Sequence, residues 1–108
     1  MTNMADTIVV GATTYRVVER DLLWRSEEGC DGQVRFDELE IDIVTEDRPG
    51  SEVANTLVHE LMHVVFREYH LKDRSREERV VTTLGFGMTA IYAQNPWVLP
   101  YLEELLHG

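Results

Sequence analysis

The chain has 108 residues, 44% of them apolar, with twenty acidic against ten basic side chains and a formal charge of −10. That length accommodates a single domain over residues 1–108, and that apolar content excludes a disordered chain. The acidic balance disfavours nucleic acid and anionic membrane surfaces as partners. The single Cys30 excludes an internal disulfide, and no apolar run reaches the ~18 residues of a membrane span, so a cytoplasmic monomer without signal or anchor is expected after the polar start Met1–Asp6.

Residues 8–18 are rich in β-branched side chains around Gly11-Ala12, which predicts two short strands joined by a tight turn. Leu22-Leu23-Trp24 then leads into a loop over residues 26–32, with Gly29 and Asp31-Gly32 as turn signals. Alternation resumes at Val34 and Phe36. Leu39, Ile41 and Ile43 share one face with Glu40 and Asp42 opposite, the pattern of a half-buried strand preceded by another across a turn near Asp37-Glu38. Pro49-Gly50 closes the β-rich half. Ser51 is an N-cap candidate for a helix from about Glu52 to Tyr69. Beyond the polar stretch Lys72–Arg74, a second helix is expected from near Ser75 to about Ala93. Asn95-Pro96, a cap residue and a first-turn proline, restarts a short terminal helix that ends at Gly108. Strands followed by helices make an α+β arrangement.

On the first long helix, positions 56, 59, 60, 63, 67 and 70 hold Thr, His, Glu, His, Arg and His, while 57, 58, 61, 62, 64, 65 and 69 are apolar. The helix is amphipathic and both His59 and His63 fall on its polar stripe, which argues against core histidines. In His59-Glu60-Leu61-Met62-His63 the i, i+4 spacing sets two imidazoles one turn apart, within reach of one tetrahedral Zn²⁺. Glu60 lies about 100° round from His59, beside the pair, where it could take a proton from a metal-activated water without ligating the metal. Random order of this composition yields the motif in roughly 2% of chains. The competing reading is a solvated helical face that happens to carry two histidines.

A catalytic zinc normally has three protein ligands. His70 lies ~10 Å further along the axis than His63 and reads as a surface histidine. Phe66 replaces the glycine of the extended metzincin motif. The next acidic cluster is Glu77-Glu78. Glu77 continues as Val81, Leu84, Met88 and Ile91, an apolar face. Glu78 continues as Thr82, Gly85 and Thr89, a face of small and polar residues that could lie over the histidines, with Thr82 supporting the carboxylate. Glu78 is the favoured third ligand and Glu77 the alternative. Against both stands a capping box, Ser75-Arg76-Glu77-Glu78, in which Glu78 only bonds back to the cap amide. Gly85 and Gly87, each costing about 1 kcal/mol inside a helix relative to alanine, predict close helix–helix approach.

These residues, with Ile41-Asp42-Ile43, Leu57-Val58 ahead of the motif, Glu77–Leu84 and Asn95-Pro96, resemble short HExxH zinc metallopeptidases of phages and bacteria (ImmA/IrrE-like, minimal gluzincin-type zincins) over most of the chain. The resemblance implies a small twisted, mostly antiparallel sheet packed on the motif helix, with a second helix supplying a glutamate. It implies His59, His63 and Glu78 as zinc ligands, Glu60 as general base, and the host cytoplasm for a phage-encoded chain. The expected function is zinc-dependent hydrolysis of a peptide or protein substrate, with the strand Leu39–Val44 as an edge for an extended peptide. One alternative is a non-catalytic zinc-binding regulator or adaptor acting through its acidic surface and a patch of Trp97, Leu99, Tyr101 and Leu102, residues that otherwise dock a helix on the core. Another is a metal-free acidic binding protein.

Overall fold

Gly11 adopts φ 62° and folds β1 (Thr7–Val10) back on β2 (Thr13–Arg20), with Val10 opposite Thr13 as the β-branched pattern predicts. The computed structural model describes residues 4–72 and 74–108. Met1–Asn3 of the polar start and Asp73 of the link Lys72–Arg74 lie outside the described residues. After β2 comes a helix that the sequence pattern did not predict, α1 (Leu22–Glu28), whose last turn takes up the first three residues of the loop expected over 26–32. Asp21 caps it by accepting a hydrogen bond from the Trp24 amide at 2.9 Å, and Gly29, at φ 75°, ends it. None of its residues is buried, so no apolar stripe marks it in the sequence.

β3 (Gly32–Arg35) and β4 (Glu40–Val44) complete a sheet of order β1-β2-β4-β3. β4 pairs antiparallel with β3 and parallel with β2, so the sheet is mixed and the fold α+β. The strand reading of Leu39–Val44 needs two corrections. Leu39 belongs to the turn, at φ 52°, and β4 is a central strand buried on both faces, neither half-buried nor an edge. Its outer face holds Glu40 and Asp42, 2% and 0% exposed, because arginines from both neighbouring strands cover them. Arg16 reaches Glu40 at 2.6 Å, Arg20 reaches Asp42 at 2.8 Å and Glu40 at 3.1 Å, and Arg35 reaches both carboxylates. On the other face Ile41 and Ile43 join Ile8, Val10, Tyr15 and Val17 in one core with Leu57, Leu61, Val64 and Val65 of the long helix α2 (Gly50–Glu68).

α2 starts at Gly50, after Pro49, so Ser51 lies in the first turn and does not cap the helix. A Cβ at Gly50 would run into the Leu105 carbonyl oxygen of the last helix. α3 (Glu77–Gln94) likewise has no side-chain cap. Ser75 Oγ accepts from the Lys72 amide at 2.9 Å and closes the link, so the capping box does not form. Asn95, read as the cap of α4 (Val98–His107), instead satisfies the free edge of β1. Its Oδ1 accepts from the Val9 amide and its Nδ2 donates to the carbonyls of Val9 and Ile91, each at 2.8 Å. Val98, Tyr101 and Leu102 of α4 are buried in the core, while Leu99 stays exposed. No helix among the described residues is long and apolar enough to cross a membrane.

Of the two glycines expected at a close helix contact, only Gly87 makes one. A Cβ there would stand 2.7 Å from Val65 Cγ1 and 3.1 Å from the Tyr69 ring, whereas Gly85 faces open space. Gly85→Ala is therefore expected to raise stability by about 1 kcal/mol. Gly87→Ala is expected to lower it by about 1–3 kcal/mol through overpacking. Urea midpoints of the two variants check both signs.

Candidate metal centre

α2 turns Val53, Leu57, Leu61 and Val64 into the core, and the helical period then directs His59 and His63 outward, where both are exposed. Their Nε2 atoms are 3.2 Å apart, with ring centroids at 4.8 Å and planes crossing at 75°. Two nitrogens each 2.0–2.1 Å from a tetrahedral zinc stand about 3.3 Å apart. The pair thus already has the separation of two corners of a zinc coordination tetrahedron. The same spacing also permits a hydrogen bond between the rings, in a direction set by their tautomers.

Glu60 does not share the exposed stripe as its sequence position suggested. It is 6% exposed, because β3 lies across it. A Cβ on Gly32 would come 3.3 Å from Glu60 Oε2, 2.6 Å from Thr56 Cγ2 and 3.0 Å from the Asp42 carbonyl oxygen, so only glycine lets the strand approach this closely. Burial pushes the Glu60 carboxyl above the ordinary carboxylate range, opposed by the neighbouring His59 and His63. Gly32, Gln33, Val34 and Phe36 on one side and His59, Glu60 and His63 on the other enclose a cleft of about 350 Å³. Across the histidines lies a mainly apolar hollow of about 270 Å³ lined by Met62 and Phe66. At the end of α1, burial pushes the Cys30 thiol up, away from the reactive thiolate.

Glu77 and Glu78 are exposed at the start of α3 and line neither hollow beside the histidines. Thr82 Oγ1 donates to Glu78 Oε1 at 3.4 Å, the one-turn pairing expected from the sequence. The structure brings His59 and His63 together with Glu60 in the same cleft, and does not bring Glu77 or Glu78 to them. Among the described residues no three His, Cys, Asp or Glu side chains form a metal-binding group. His70 is exposed beyond the helix end, at φ 57°. The strand at Val34, ahead of the turn near Asp37-Glu38, is the one the alternation predicts; what the sequence did not reveal is that it covers Glu60, because Gly32 reads there only as a turn residue. No family model, curated protein or solved structure matches the chain.

Proposed function

We propose that the protein is a zinc-dependent peptide hydrolase, with His59 and His63 as zinc ligands and Glu60 as general base. The observation that carries this reading is the 3.2 Å separation of the two exposed Nε2 atoms above a cleft that contains a buried carboxylate. When bound, zinc supplies Lewis acidity toward water and toward a peptide carbonyl. Glu60, shielded beneath Gly32, accepts a proton from the attacking water at its carboxylate oxygen and passes it to the departing nitrogen. An extended substrate pairs with the free edge of β3, which takes the role first read onto β4, since β4 is hydrogen-bonded on both sides.

Glu78, ahead of Glu77, is the proposed third ligand, the carboxylate that Thr82 supports one turn further along α3. Competition titration is expected to show zinc affinity falling roughly tenfold or more in Glu78→Gln and less than about twofold in Glu77→Gln. The hydrolase reading itself is tested by incubating an unfolded protein substrate with zinc-loaded wild type and Glu60→Gln side by side. Cleavage confined to the wild type supports it. Equal cleavage by both, or by neither, contradicts it.

A further inference from the structure

Arg67 stands on the same stripe as the histidines, four residues after His63 and about 6 Å further along the axis. Its guanidinium carbon lies 4.6 Å from the centre of the Phe36 ring. Phe36 lines both the histidine cleft and a neighbouring hollow of about 420 Å³ that Arg35, Asp37, Glu38 and Arg67 complete, so the two share its ring as a wall. The two arginines there differ in what they hold. Arg35 is engaged by Glu38, Glu40 and Asp42. Arg67 has no carboxylate within ion-pair distance among the described residues. Its neighbour Glu68 instead accepts from Thr13 Oγ1 at 2.6 Å and Tyr15 Oη at 2.7 Å. A guanidinium lying over an aromatic ring keeps its edge N–H donors open.

We infer that Arg67 makes the site selective for a substrate carboxylate about two residues from the scissile bond, an Asp or Glu side chain or the free C-terminal carboxylate; the inference rests on the hydrolase reading. An extended peptide returns a side chain to the same face every two residues, about 6–7 Å, which matches the offset of Arg67 from His63. The guanidinium fork takes a carboxylate in bidentate fashion, which a neutral amide cannot reproduce. A chain of charge −10 repels acidic peptides in general, so a preference for one must arise from a local cation.

The test measures binding of alanine-based six-residue peptides to zinc-loaded Glu60→Gln protein, with parallel cleavage assays on the wild type. Each peptide carries glutamate, glutamine or lysine at one position, in amidated and free-acid forms. Glutamate at one position, or the free terminus, is expected to bind about tenfold tighter than its neutral counterpart. An internal position identifies a side chain, and dependence on the free acid identifies the terminus. Arg67→Gln should abolish the difference and Arg67→Glu should turn it toward lysine. Arg79→Gln, the same charge change on α3, should leave it intact. Equal binding of charged and neutral peptides, a preference that survives Arg67→Gln, or binding of neither overturns the inference, while wild-type cleavage of the neutral peptides keeps the hydrolase reading. A preference lost in Arg67→Gln without any cleavage overturns the hydrolase reading and upholds the carboxylate site.

Discussion

Glu60→Gln is expected to lower zinc-dependent peptide hydrolysis by about a thousandfold and, in the same molecule, to stabilise the metal-free protein at neutral pH. Both effects come from the burial of one carboxyl. β3 covers Glu60 because Gly32 has no side chain, so the ionised form loses water that the two histidines only partly replace. Its pKa in the folded chain is raised above the unfolded value. Its stabilising contribution is therefore complete below the unfolded carboxylate range and is lost as pH rises through the folded pKa. Glutamine carries no charge to desolvate, so the metal-free variant should melt above the wild type at pH 7, and the gap should close toward pH 4. A helix-face carboxylate in water would show neither the gap nor its pH dependence. Thermal melts at the two pH values, beside hydrolysis rates, check both halves. Zinc uptake should survive the substitution, since Glu60 is assigned a proton and not the metal.

Arg20→Ala is expected to cost about 3 kcal/mol of folding stability, far more than its partial exposure suggests. The loss falls on its partners. Asp42 and Glu40 are buried side by side on β4, and removing Arg20 takes one donor from each while leaving both carboxylates in the sheet. Arg35 still reaches both, which keeps the loss below collapse of the fold. Arg25→Ala is the control. Its partner Asp31 is 40% exposed, so that pair should be worth less than about 0.5 kcal/mol. Denaturant midpoints at constant slope separate the two cases.

The same arginines explain why the sequence pattern was only partly legible. Alternation at 40–44 set Ile41 and Ile43 against α2 as expected, but its polar members read as solvent-facing. Nothing local reveals that Arg16 and Arg20, two dozen residues upstream, fold down over Glu40 and Asp42. The hairpin at Gly11 and the exposed histidines were legible because each depends on a short-range rule, a tight turn in one case and the helical period in the other. Glu60 obeyed that period and was still misplaced, because an edge strand from another part of the chain covers it. Asn95 carries the chemistry of a helix cap, yet a strand edge needed its amide more. Arg67 was visible on the histidine stripe, but its place beside Phe36 depends on the turn after β3.

Zinc content of the purified protein tests the metal centre most directly, measured by elemental analysis after exposure to equimolar zinc and gel filtration. One zinc per chain in the wild type and in Glu60→Gln, with none in His59→Ala or His63→Ala that remain folded, is the expected result. A wild type that retains no zinc, or a folded His63→Ala that retains as much as the wild type, would contradict the assignment of His59 and His63 as ligands.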